Sequence, residues 1–155
     1  MPNDMYFRAG VGLLVLNDAR LVLALERSDV SGSWQAPQGG LFEGEEPLQA
    51  AERELYEETG IPWNAVRVLD EHPSWLAYEL PPTARSVKTG RGQVHKWFLL
   101  GFRGSDTEIR LGTDRKEAEF ARWQWMPMSE LVSVVWEIRR DVYHALQSRW
   151  QTHLD

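Results

Sequence analysis

Runs of apolar residues separated by short polar breaks dominate the first third of this chain. GVGLLVLN at 10–17 and RLVLALER at 20–27 read as two strands, joined in a hairpin around Asp18 and Ala19. Further strands are expected in VRVLDEH (66–72), WLAYEL (75–80), HKWFLLGF (95–102), EIRL (108–111) and FARWQWMP (120–127). PPTARSVKTGRGQ (81–93) reads as a long connecting loop, a kind of segment that often carries function. The period changes between residues 47 and 59. There Leu48, Ala51 and Leu55 form an apolar helical stripe, Pro47 suits the first helical position, and Gly60 suits the left-handed closing position. This helix should bury Leu48 and Leu55. Ser129 is expected to cap a short helical turn, and Trp136 to Trp150 to form a longer C-terminal helix. Strands, a helix, strands and a helix in that order suggest an α/β fold with a sheet between helices.

The first helix carries an unusual charge pattern. Glu54, Glu57 and Glu58 stand at i, i+3 and i+4, which puts three carboxylates on one face beside the apolar stripe. Like charges at that spacing repel, so the face gains stability only if something positive binds there. Hard oxygen ligands suit a divalent cation such as magnesium, with manganese the other candidate.

Those glutamates belong to a wider pattern. Gly39, Glu45, Arg53, Glu54, Leu55, Glu57, Glu58, Gly60 and Ile61 stand at the spacing G-x5-E-x7-R-E-U-x-E-E-x-G-U, with U a bulky aliphatic residue. This resembles the Nudix box at every fixed position. SWQAPQGG (33–40), WLAYELP (75–81), GQVHKWFLL (92–100), EFARWQW (119–125) and RRDVY (139–143) are similar to one Nudix subgroup. It contains the bacterial RNA pyrophosphohydrolases and the dinucleoside polyphosphate hydrolases of bacteria and plants. The likeness runs from about Arg8 to about Tyr143.

The resemblance implies an α/β/α sandwich with a mixed β-sheet, and a metal-dependent hydrolase that cleaves a phosphoanhydride. The substrate implied is a 5′-triphosphorylated RNA or a dinucleoside polyphosphate such as diadenosine tetraphosphate. A general nucleoside triphosphate pyrophosphatase and a non-catalytic nucleotide-sensing domain are the alternatives. By position, Glu54, Glu57 and Glu58 are implied metal ligands. Glu45 and Arg53 brace the loop and helix, and Gly39 lets the backbone approach metal or phosphate. Glu119 is a further metal ligand or base, since the subgroup has an acidic residue before this Phe; Glu117 would share its side of a strand. The water-activating base is Glu57 or Glu119, with Glu54 and Arg53 beside them in the catalytic set. The substrate-binding residues expected are Arg8, Arg27, Lys96, Tyr78 and Arg139. Arg139 falls where the subgroup pairs a basic residue with an aromatic one to sandwich a base, but its neighbour here is Ile138. Trp136 approaches from another helical direction.

Composition narrows the rest. The chain has 155 residues, enough for one domain spanning 1–155 with a substantial core. There are no cysteines, which excludes disulfides and thiolate chemistry and fits a reducing cytoplasm. Acid and Arg within the first ten residues and a short apolar run lead to the expectation of no signal peptide and no membrane span. The net charge of −6 argues against a protein that grips long nucleic acid by its backbone, so no DNA partner is expected. From Pro81 to Gly104, however, there is no acid, while Arg85, Lys88, Arg91, Lys96 and Arg103 are present. Such a segment suits the clamping of a polyphosphate. Of the tryptophans, Trp75 suits base stacking, and Trp97, Trp123 and Trp125 suit the core. The four histidines have no metal-ligand spacing.

Overall fold

A computed structural model describes residues 6–112 and 119–155. In chain order its elements are β1 (Phe7–Leu16), β2 (Val22–Arg27), β3 (Trp34–Gln35), β4 (Gln38–Gly40), α1 (Pro47–Thr59), β5 (Val66–Glu71), β6 (Leu76–Glu79), β7 (Gly92–Phe102), β8 (Phe120–Met126), α2 (Met128–Val134) and α3 (Arg140–Arg149). The sheet is mixed. β1 pairs in parallel with β7 from Phe7–Gly92 to Leu16–Gly101. The other ladders are antiparallel: β2 and β4 on β1, β3 and β8 on β2, and β5 and β6 on β7.

The continuous apolar run of β1 follows from its central place, because both of its faces are covered. Val11, Leu13 and Val15 meet Ala50, Ala51 and Leu55 of α1 on one face. Leu14 and Leu16 meet Leu131, Val142, Tyr143, Leu146 and Trp150 from α2, α3 and the turn after α3 on the other. Each fully buried leucine there contributes about 2 kcal/mol. The resulting α/β/α sandwich is the architecture expected.

Four local expectations need correction. EIRL is not a strand: Asp106–Glu108 form a 3-10 turn with a capping box between Ser105 and Glu108. Its apolar residues Ile109 and Leu111 still pack on the α1-side core, which explains the strand-like pattern. The C-terminal helix does not begin at Trp136; a 3-10 turn at Glu137–Arg139 precedes α3. Ser129 lies inside α2, whose N-cap is Pro127. Leu48 is 46% exposed, because α1 buries Ala50, Ala51, Glu54, Leu55 and Glu58 instead. The two alanines let the helix approach closely, and this rolls the carboxylates inward. Among the described residues, no helix is long and apolar enough to cross a membrane.

Candidate active site

α1 is fixed at both ends by its own sequence. Pro47 occupies the first turn, and Glu46 and Gln49 form a capping box. Gly60 takes φ +73° and donates its N–H to the Tyr56 carbonyl at 2.9 Å. The preceding loop is tied to the helix by Arg53. Its Nε and Nη2 donate to the two oxygens of Glu45 at 2.8 and 2.9 Å, and Nη2 also donates to the Gly40 carbonyl at 2.8 Å. Nη1 reaches Glu54 at 2.8 Å and Glu57 at 3.3 Å. The Phe42 ring covers the guanidinium at 3.8 Å. These contacts hold the Arg53 pKa above its ordinary value, Glu45 first, and hold the Glu45 carboxyl below its own.

The carboxylate face meets the glycine strand β4. A Cβ placed on Gly39 would lie 1.9 Å from Cδ of Glu54, so only a glycine lets that carboxylate lie against the backbone. Glu58, 3% exposed, accepts the Gln38 backbone N–H at 3.1 Å. Oε1 of Gln38 is buried and receives no hydrogen bond among the described residues. Buried carboxylates, main-chain carbonyls and an amide oxygen are the hard donors that a divalent cation takes, so these residues fit one. No three carboxylates or histidines form a finished cage among the described residues. Arg53 pairs with both Glu54 and Glu57 in this arrangement.

Beside β4 a polar cavity of about 310 Å³ opens, and Arg8, Arg27, Glu119 and Arg139 all line it. Arg8 lies against bare Gly40, where a Cβ would be 2.3 Å from Nη2, and its side chain makes no ion pair among the described residues. Arg27 is held by Asp29 through bonds of 2.9 and 2.8 Å. Asp29 raises the Arg27 pKa, and Arg27 lowers that of Asp29. Arg139 is 7% exposed and donates to Gln35 Oε1 at 2.7 Å and to the Tyr78 hydroxyl at 2.9 Å. Glu119 immediately precedes β8, with its carbonyl accepting Ser28 N–H at 3.0 Å.

Two expected contacts lie elsewhere. Lys96 sits on the α1 side of β7, pairs with Glu71 at 3.2 Å and is outside the cavity lining. Tyr78 is buried, and its hydroxyl donates to Gln93 and accepts from Arg139, so its ring does not offer a face to a base. Glu117 lies outside the described residues. Trp97 is core, as expected, whereas Trp123 and Trp125 are only partly buried.

Sequence reasoning missed Gln35, Gln38, Gln93, Thr89 and His95, which also line the cavity. The SWQAPQGG motif was the signal for the first two. Its conformation depends on RDVY, because the buried Tyr143 hydroxyl accepts the Ala36 N–H at 2.9 Å. Burial pushes that hydroxyl's pKa up to about 12. His95 is pushed down to about 3, by burial first and then by the charges of Arg139 and Arg8. It is therefore a neutral imidazole at pH 7. Nor did the sequence reveal a second, mostly apolar cavity of about 260 Å³, lined by Arg27, Val30, Ser33 and Trp136. Arg27 is the wall it shares with the polar cavity.

Comparison with known proteins agrees with this geometry. Residues 6–146 match the NUDIX domain. The chain is 40% identical over 157 residues to the RNA pyrophosphohydrolase of Cereibacter sphaeroides, covering 99% of this chain and 96% of the relative. It is 43% identical over 155 residues to the RNA pyrophosphohydrolase of Brucella anthropi, covering 92% and 88%. The fold superimposes on a C. elegans Ap4A hydrolase complex with a TM-score of 0.70 at 19% identity, covering 94% of this chain and 98% of that one. Nudix hydrolases generally depend on a divalent metal. The chain belongs to the NUDIX family and is a Nudix hydrolase of the subgroup that holds the bacterial RNA pyrophosphohydrolases.

Proposed function

We propose that this hydrolase is an RNA pyrophosphohydrolase that cleaves a phosphoanhydride bond of the 5′-triphosphate end of RNA by attack of water on phosphorus. The observation that carries this reading is the adjacency of two cavities. One is cationic and is lined by Gln38 and Gly39, against which Glu58 and Glu54 of α1 lie; the other is mostly apolar and carries Trp136. A nucleotide has the same two halves, a charged phosphate chain and a flat base.

In this reading Arg8, Arg27 and Arg139 hold the polyphosphate and stabilise the charge that leaves with it. Glu54, Glu57, Glu58 and Glu119, with the Gly39 backbone, would hold magnesium or manganese. Such an ion supplies Lewis-acid charge and lowers the pKa of nearby water. Glu57 or Glu119 takes the proton from the attacking water; the oxygen–phosphorus bond forms as the anhydride bond breaks. Trp136 and Arg27 receive the base between an indole face and a guanidinium plane. The absence of cysteine suits action in the reducing cytoplasm.

Net charge favours a second reading, because a protein at −6 attracts long RNA poorly, so a dinucleoside polyphosphate is the rival substrate. The deciding experiment is a competition in magnesium buffer between a short 5′-triphosphorylated RNA and diadenosine tetraphosphate, with products resolved by chromatography. Faster conversion of the RNA is expected. Faster splitting of the dinucleotide would replace this reading with the second. Glu57→Ala and Glu58→Ala should each abolish turnover of both substrates, and near-normal activity in both variants would overturn the assignment of the carboxylates.

A further inference from the structure

Arg103, the last cation of the acid-free segment, is nowhere near the carboxylates. It lies just beyond the C-terminal end of β7, beside a cavity of about 450 Å³ that also takes in Arg20, Arg67, Leu69, Gly101 and His153. β1 spans the sheet between the two places. Arg8 lines the phosphate cavity and Leu16 lines this one, about 26 Å away at about 3.3 Å per strand residue.

The wall is built in an unusual way. Arg67 of β5 stands directly opposite Gly101 of β7, and Arg103 follows two residues on, with both arginines on the same face. Gly101 has no side chain of its own, and Leu69 packs over it, 3.3 Å from where a Cβ would stand. Like charges on neighbouring strands of one face are destabilising. Neither arginine has a side-chain ion pair or hydrogen bond among the described residues, and the only carboxylate in the lining is Asp18. A third guanidinium is fixed nearby. Arg20, in a left-handed conformation at φ +67°, donates to the carbonyls of Thr152, His153 and Leu154 at 2.6, 3.1 and 2.9 Å. That clamp uses Nε and Nη2 of Arg20, and Arg67 and Arg103 carry no such bonds among the described residues.

We infer that this cavity is a second anion site, which binds a multiply charged phosphate through Arg67 and Arg103. Two guanidinium forks on one face, with Leu69 packed over Gly101, suit phosphate oxygens. The volume exceeds that of one phosphate and falls in the range of small-ligand sites, roughly 300–1,000 Å³, so the ligand class is a pyrophosphate or a nucleoside polyphosphate. This site shares no residue with the carboxylate site and does not depend on the RNA reading.

The test is amide NMR on the full chain in chelator, titrated with inorganic pyrophosphate and, separately, with ADP. Shifts are expected at Gly101, Arg103 and His153, with an affinity distinct from that of shifts at Gly39 and Gly40. The Arg67→Ala, Arg103→Ala double variant should weaken the first set about tenfold or more and leave the second set and the turnover unchanged. Equal affinity for both probes marks a site for phosphate alone. Tighter ADP binding, with shifts spreading to Leu69, marks a nucleotide site. Silent amides at Gly101 and His153 through millimolar pyrophosphate and ADP, or equal shifts in the double variant, would overturn the inference.

Discussion

Gly39 and Glu54 are in a contact that only a glycine at position 39 permits: a Cβ on Gly39 would sit 1.9 Å from the carboxylate carbon. The glycine therefore sets where the carboxylate lies. Gly39→Ala must push α1 away from β4 or turn Glu54 out of line. Overpacking of this kind costs about 1–3 kcal/mol, and an ångström of displacement at reacting groups costs about 100-fold in rate. A thermal melt and a steady-state assay check both; an alanine variant with unchanged turnover would show that Glu54 can move freely.

Tyr143 supports the site from the opposite layer. Its hydroxyl accepts the buried Ala36 N–H at 2.9 Å, between the cavity residues Gln35 and Gln38. Tyr143→Phe leaves that N–H without a partner and should lower stability by about 2 kcal/mol. Turnover should fall as well, since both glutamines lose their anchor. Denaturant unfolding beside a rate measurement separates the two effects. A stable variant with full activity would mean that β3 and β4 hold their course unaided.

Much of α1 was legible because its determinants are contiguous. Pro47, Gly60 and the i, i+3, i+4 carboxylates all act within one helix. The longer strands were legible from their apolar runs, and the sandwich from their order. β3 and β4 were not, since strands of two and three residues have no period to detect. EIRL misled because buried Ile109 carries the same apolar signal whether or not a ladder forms. Arg139 was found, but not its place: a 3-10 turn aims its guanidinium between the Tyr78 and Trp136 rings, 5.4 Å from each. Relations that cross the sheet, such as Arg67 with Arg103, depend on register and cannot be read from spacing.

Trp136 offers a test of how the base is read. Stacking on an aromatic ring is worth about 1–3 kcal/mol per base. Trp136→Ala should therefore raise KM for a triphosphorylated RNA about tenfold or more, with a smaller fall in kcat, because the Arg139 guanidinium loses the ring 5.4 Å from it while the carboxylates are untouched. Trp75→Ala serves as the comparison: Trp75 is 43% exposed and outside both cavities. Equal effects from the two variants would remove the base from the Trp136 cavity.

His95 links the same cavity to pH. In the folded chain its pKa is pushed from 6.5 down to about 3, by burial first and by Arg139 and Arg8 next. Between those values the unfolded chain holds a proton on this ring and the folded chain does not. Stability then rises with pH across the window and falls as pH drops below about 6.5, by up to about 1.4 kcal/mol per pH unit from this group. Above 6.5 both states are neutral and the contribution is flat. His95→Gln removes the titration, so the difference in unfolding free energy between variant and wild type should change steadily from pH 6 to 4 in favour of the variant. Chemical denaturation at several pH values measures it. Parallel curves would mean that the imidazole is protonated in the folded state, with a cationic ring facing the polyphosphate in place of a neutral one.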